Sequence, residues 1–297
     1  MIFQPPGSYS AEYLQRTSCK PFIDGLHEQL MQDVMTTGFN YLDESYINAD
    51  ANPTALTSLF TEFKTNFQTA LENSKLNTLI GFDSFKRVDI CIGCAQYMDN
   101  LHIKHDVQVL EDEYRYHTLL NPALVPKTKD TLEPNKHLII SLPFSKIGAT
   151  HPQMTELLDH CLKLNIPVHI DGAWITAAKN VSFDFSHPAV HSVAVSMSKG
   201  YGLAGWNRIG LRWTKHTEED AITIMNDYLQ VNSYCVAIGN YFLKNVPIDH
   251  LWNTHKDNYS KLCQDFNLVP TDTIHMAKDG VYNIGLSPLL RYLEKNV

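Results

Sequence analysis

Two segments of the chain pair an apolar run with residues that do chemistry. HIDGAW at 169–174 carries Asp171, and SVAVSMSKGYGLAGWNRIGLRW at 192–213 carries Ser196, Ser198, Lys199 and Arg208. A lysine in a closed site can form an imine with an aldehyde cofactor, and desolvation beside other cations frees its amine to act as a base; Lys199 suits that role. A carboxylate set against a pyridine nitrogen keeps that nitrogen protonated and makes the ring an electron sink, a role that suits Asp171. Hydroxyls and a guanidinium anchor a phosphate by charge-assisted hydrogen bonds, and Ser196, Ser198 and Arg208 are spaced for it. Each residue alone has a plainer reading. Lysines in loops are usually solvated, and an aspartate after a strand is usually a turn or N-cap residue. The combination favours chemistry.

Positioning these residues requires buried strands that end at one edge of a sheet. Apolar stretches predict strands at Val88–Ile92, Val107–Leu110, His137–Leu142, Pro167–Ile170, Ser192–Val195 and Ile209–Trp213. Helical stretches alternate with them, the pattern of a mostly parallel sheet covered on both faces. Such sheets place ligands at the carboxyl ends of their strands. Leu56, Leu59, Phe60, Phe63 and Phe67 recur at helical spacing between Pro53 and Leu71, so that helix buries one face. HPQMTELLDHCLKLN at 151–165 predicts a crossover helix with Met154, Leu157, Leu158, Cys161 and Leu162 on its apolar stripe. Helices are also predicted around Gly25–Met35, at Glu218–Leu229, Tyr234–Leu243 and His250–Phe266, and in the terminal LSPLLRYLEKN.

At the lysine and the aspartate the sequence resembles the class I/II aminotransferases, which are fold type I pyridoxal 5′-phosphate (PLP) enzymes. Their signatures are a strand ending in Asp-x-Ala-Tyr and a Ser-x-Ser-Lys-x-x-Gly-Leu-x-Gly-x-Arg-x-Gly loop. The counterparts here are Asp171-Gly-Ala173-Trp174 and the run from Ser196 through Ser198, Lys199, Gly202, Gly205 and Arg208 to Gly210. The resemblance implies an α/β fold in which helices flank a mostly parallel central sheet, with a reduced small domain. It implies an N-terminal arm and helix over 1–52, a PLP-binding large domain over 53–235 and a small domain over 236–297. It also implies a homodimer, Lys199 as the catalytic Schiff-base lysine, and Asp171, Ser196, Ser198 and Arg208 as cofactor contacts. Within VDICIGCAQYMDNL it nominates Gly93, Cys94 and Ala95 as phosphate donors at a helix N-terminus. Within VQVLEDEYRYHTLL it nominates Tyr114 to stack on the pyridine ring, and within SLPFSKIG it nominates Ser145 near the ring's 3′-oxygen.

Three departures qualify the resemblance. Trp174 stands where the family has tyrosine, and an indole can donate a hydrogen bond but not accept one. One extra residue lies between Gly202 and Arg208. In GVYNIGLSP the arginine that binds the substrate's α-carboxylate is replaced by Asn283, the nominated substrate-binding residue, with Arg291 on the terminal helix a poor stand-in. The function expected is a PLP-dependent aminotransferase acting on an amino acid or related amine. A lyase or decarboxylase, or a non-catalytic binding protein on the same fold, are the alternatives.

The bulk composition agrees with a compact enzyme and excludes other classes. A net charge of −8 and a pI near 5.9 argue against a protein that tracks nucleic-acid phosphates. No apolar run approaches a membrane span. Six scattered cysteines suggest free thiols and a reducing, cytoplasmic setting. Cys91, Cys94, His102 and His105 invite a zinc reading, but the spacing is tight for a finger and Cys91 falls within a strand pattern, so no metal is expected.

Overall fold

The computed structural model describes residues 21–36, 53–217 and 219–296; most of the predicted arm lies outside them. The first elements are α1 (Gly25–Thr36), α2 (Pro53–Glu72), β1 (Thr78–Ile80) and β2 (Arg87–Cys91). Next come α3 (Gly93–Lys104), β3 (Val107–Val109), α4 (Tyr116–Leu120), β4 (His137–Ser141), α5 (Met154–Lys163), β5 (Val168–Gly172), β6 (Ser182–Asp184), β7 (Val190–Ser196) and β8 (Gly210–Thr214). The chain continues through α6 (Ala221–Asp227), α7 (Ser233–Asn245), α8 (His250–Asp265), β9 (Val269–Pro270), β10 (Met276–Asp279), β11 (Tyr282–Gly285) and α9 (Ser287–Asn296).

The central sheet has the order β2-β8-β7-β5-β4-β3. Strands β3, β4, β5 and β7 are parallel, and β8 runs antiparallel to both of its neighbours. All six predicted strands are present, with ends shifted by a residue or two. Because side chains alternate along a strand, consecutive residues enter different cores. Leu138, Ile140, Val168, Ile170, Val193 and Val195 join a large core that includes α2, α5 and α7. Ile139 and Ala194 face the opposite way, onto Cys94, Tyr97, Met98 and Leu101 of α3. The predicted face of α2 is buried as expected, with Leu71 extending it. On α5, Leu162 departs from the prediction: it is 47% exposed, because the core closes over Leu157, Leu158 and Cys161 on the neighbouring side of the helix.

A second apolar cluster joins α8, the β11-β10-β9 sheet and α9 through Trp252, Tyr259, Leu262, Ile274, Ile284 and Leu290, and takes in Phe22 ahead of α1. The Trp252 indole N–H donates to Ala177 O at 3.1 Å, tying this cluster to the segment after β5. Among the described residues no helix is long and apolar enough to cross a membrane. The five described cysteines are free thiols.

Beneath the sheet lies a buried ion network. Arg212 on β8 bonds Asp89 at 2.7 Å and Asp220 at 2.5 Å, and Asn100 of α3 donates to Asp220 at 3.0 Å. Asp220 also caps α6, accepting from the Thr223 amide at 2.8 Å while the Thr223 hydroxyl accepts from the Asp220 amide. This box explains why α6 begins at Ala221 rather than at the predicted Glu218. Burial pushes the Asp220 carboxyl upward, but the Arg212 bond and the Thr223 amide outweigh it and hold it at about 2. A depressed carboxyl adds stability above its unfolded value and loses it as pH falls through its folded one. Stability is therefore expected to decline between about pH 4 and pH 2. Arg212→Leu leaves the buried Asp220 without its cation and Asp89 with Arg87 alone, and is expected to destabilise the fold by about 3–5 kcal/mol, measured by chemical denaturation at neutral pH.

Candidate functional site

The strand register brings the expected site residues together. Ser141 of β4 lies opposite Asp171 of β5, which lies opposite Ala194 of β7. Ser196 pairs with Gly210 of β8, which pairs with Cys91 of β2. All these positions lie at one edge of the sheet, and a cavity of about 670 Å³ opens there. Its wall includes every nominated residue except Gly93: Cys94, Ala95, Tyr114, Ser145, Asp171, Trp174, Ser196, Ser198, Lys199, Arg208 and Asn283.

Asp171 is only 3% exposed. Burial pushes its carboxyl above the ordinary range; the adjacent Cys94 thiol, the Ala173 amide donating at 3.0 Å and the Lys199 charge act against that rise. Lys199 lies half-buried, its Nζ 4.5 Å from the centre of the Trp174 ring, a cation–π distance. The turn that presents it is fixed from behind by Thr176, whose hydroxyl accepts from the Gly200 amide at 3.0 Å and donates to Ser196 O at 3.2 Å. A side chain at position 200 would have its Cβ 1.9 Å from Thr176 O, so only glycine allows the approach.

At the other end of the cavity, Gly93 opens α3 with φ +64°, and no side chain caps that helix N-terminus. A Cβ at Gly93 would stand 3.0 Å from Ser196 Oγ and 3.1 Å from Arg208 Cγ. Ser196 Oγ donates to Ser198 Oγ at 2.8 Å and accepts from the Ser198 amide at 3.1 Å. Two hydroxyls, the guanidinium side chain of Arg208 and the amides of a helix start thus converge, a donor set suited to a phosphate.

Several residues of the site were not singled out from the sequence. Glu113 projects its carboxylate inward, where it accepts from the Ser141 amide and hydroxyl, the Ser145 hydroxyl at 3.0 Å and the Tyr114 amide at 2.6 Å. Burial nonetheless pushes its carboxyl upward. Ser145 is therefore already engaged by Glu113, and its backbone oxygen accepts from Asn283 Nδ2 at 3.2 Å. The other amide atom, Asn283 Oδ1, is buried with no partner among the described residues. His275 sets its ring edge-on to Trp174 at 5.3 Å and accepts from the Phe22 amide at 3.0 Å; burial, then the Lys199 charge, hold it neutral. Arg115 and Lys146 also line the cavity, with Lys146 paired to Asp112 at 2.8 Å. Adjacency to Tyr114 was the only sequence signal for Glu113 and Arg115. Tyr114 is 40% exposed and stacks on Tyr116 at 5.8 Å. Arg291 lies away from the cavity, with its guanidinium on Ile23 O at 3.3 Å.

The four residues of the zinc reading have separate surroundings. Cys91 is buried on β2, Cys94 Sγ donates to Ala194 O at 3.4 Å, His102 meets His117 at 3.0 Å, and His105 stacks on His137 at 3.8 Å.

No family model matches the chain, and no curated protein matches it in sequence. Its structure is similar to alanine aminotransferase from Pyrococcus furiosus, at 14% identity and a TM-score of 0.58, over 90% of this chain and 78% of that one. The fold is that of the aminotransferases. A probable N-succinyldiaminopimelate aminotransferase from Thermus thermophilus shares the aminotransferase fold at 15% identity and a TM-score of 0.56, over 96% of this chain and 88% of that one. An aromatic-amino-acid aminotransferase from Burkholderia pseudomallei, covalently bound to pyridoxal phosphate, shares it at 11% identity and a TM-score of 0.50, over 90% and 77% of the two chains.

If the α3 cradle takes a phosphate, Gly93→Ala should fill it and strain the backbone at a positive φ. Affinity for a phosphate-bearing ligand, measured by calorimetry, is expected to fall at least about tenfold, while stability changes by only about 1–2 kcal/mol.

Proposed function

We propose that the protein is a PLP-dependent transferase, most simply an aminotransferase acting on an amino acid or related amine. The observation that carries this reading is the convergence of Lys199, the buried Asp171 and the α3 cradle on one cavity. The neighbour with covalently bound pyridoxal phosphate supports the same cofactor. The residues present fit it: the Gly93 cradle leaves a space that a Cβ would fill, and its donors suit a phosphate.

In this reading Ser196, Ser198, Arg208 and the amides of Gly93, Cys94 and Ala95 hold the phosphate. Asp171 would hold a proton on the ring nitrogen, a pairing that would offset the cost of burying the carboxylate. Tyr114, Trp174 and Ser145, on the cavity wall, would border the ring. The cofactor, when bound, supplies an aldehyde that exchanges with amines and a ring that stabilises a carbanion at the substrate's α-carbon. Lys199 Nζ, as the free amine, would be the base that takes the proton from the substrate's α-carbon and carries it to the cofactor's aldehyde carbon. The Trp174 ring lies 4.5 Å from Nζ and borders the lysine on the cavity wall.

Lys199→Ala is expected to keep the fold and lose the covalent link. After borohydride treatment with PLP supplied, intact-mass measurement should find a cofactor-sized adduct on the wild type only; an adduct on the variant, or none on the wild type, overturns the assignment. Asp171→Asn should retain the adduct but lower turnover by about a hundredfold, or about 3 kcal/mol of transition-state stabilisation. Unchanged turnover would make Asp171 structural.

Substrate choice follows from Asn283, a neutral amide in place of a carboxylate-binding arginine, with its Oδ1 facing no partner among the described residues. A substrate carboxylate beside it lacks a bidentate cation, so common amino acids are expected to react slowly. A spectral screen of the half-reaction over amino acids and over amines without an α-carboxylate checks this. Rapid reaction with glutamate, aspartate or alanine would show that another cation, with Arg115 on the wall, binds the carboxylate.

A further inference from the structure

Where α1 and α8 begin, three ligand-type side chains meet. Asp24 Oδ2 lies 2.6 Å from His250 Nε2 and 2.8 Å from His255 Nε2, and the three atoms lie within 4.8 Å of one another. Asp24 and His255 are buried, and His250 is 14% exposed and gives a path to solvent. The other carboxylate oxygen is occupied, since Asp24 Oδ1 accepts from the His27 amide at 3.1 Å and meets His27 Nδ1 at 2.9 Å. That leaves Oδ2 with the two imidazoles.

We propose that Asp24, His250 and His255 form a binding site for a first-row transition-metal dication such as zinc, which locks α1 onto α8. Two imidazole nitrogens and one carboxylate oxygen are a donor set for such an ion, and three protein ligands leave a position for water. Tetrahedral bonds of about 2.0–2.1 Å separate ligand atoms by roughly 3.3 Å, so the ion requires Oδ2 to withdraw from each nitrogen by less than about 1 Å and the two nitrogens, which lie within 4.8 Å of each other, to take up that same separation. Metal binding also requires each imidazole to carry its proton on Nδ1. Thr254 Oγ1, 3.3 Å from His250 Nδ1, is placed to accept that proton's hydrogen bond. The outer partner on the carboxylate is supplied by His27. This arrangement differs from the dispersed Cys91, Cys94, His102 and His105.

The site bears on the cavity through the chain behind Lys199. A Cβ at Gly202 would stand 3.2 Å from Ile23 Cγ1 and 3.6 Å from His27 Cγ, so the lysine loop rests on the segment the ion would hold. The α1 start is also fixed to α9, where the Gly25 amide donates to Glu294 at 2.6 Å and Arg291 bonds Ile23 O. An ion at Asp24 would add the link to α8 and make α1 a fixed backing for the loop.

The rival account is that Oδ2 simply accepts two N–H bonds from the imidazoles and no metal enters. Protein stripped by dialysis against a chelator and titrated with zinc by calorimetry separates the two. The site requires about one zinc per chain and a melting temperature that rises by several degrees with zinc, a readout independent of any catalysis. His250→Gln, at the more exposed ligand, and His255→Ala are each expected to weaken this binding at least about tenfold. His102→Gln, remote from the site, should leave it unchanged. Absence of zinc binding by folded wild type, or wild-type affinity in the folded His250→Gln protein, overturns the proposal.

Discussion

The demand that shapes this molecule is the burial of one carboxylate, Asp171, at the end of a strand covered on both faces. Unpaired, such a charge is costly, and burial already displaces its proton equilibrium upward. What the fold sets around it is a backbone amide two residues on, a thiol from α3 and the charge of a lysine returning from β7. Together these fall short of cancelling the cost of burial. The carboxylate is thus held without being fully compensated, and under the proposed function a cationic ring nitrogen would be its missing partner. Arg212 provides the contrast within the same sheet: its two aspartates bond it directly and Asp89 also bonds Arg87, so each of those carboxylates already has a cation.

Much of this was legible in the sequence because two different signals coincided. The strands are short apolar runs buried on both sides, so continuous hydrophobicity marked them. The Asp171 and Lys199 segments then followed from residue type and order. What escaped notice depends on partners distant in sequence. Glu113 reads as one more surface acid until its bonds to Ser141 and Ser145 are seen. His275 reads as one of many histidines until it lies against Trp174. The β1–β6 pair joins residues near 79 and 183, a separation over which no periodicity operates. Leu162 is the opposite case, an apolar residue on a plausible stripe that the core had no room to include.

The parallel between the site and the opposite end of the sheet shows how α3 is placed. Tyr97, one turn into that helix, shares a 2.6 Å hydrogen bond with Ser192 at the start of β7, and Ser192 in turn bonds His169 of β5 at 2.7 Å. The hydroxyl, the serine and the imidazole satisfy one another in a region with almost no solvent, and burial together with neighbouring histidines keeps His169 uncharged. Such a buried polar chain tolerates little sliding, because a shift would leave each member unpaired. With a rise of about 1.5 Å per residue, fixing Tyr97 fixes the helix start about 6 Å away. That is where Cys94 meets Asp171, and where Gly93 meets Ser196 and Arg208. A polar contact at the amino ends of β5 and β7 thereby sets the position of the cradle at their carboxyl ends.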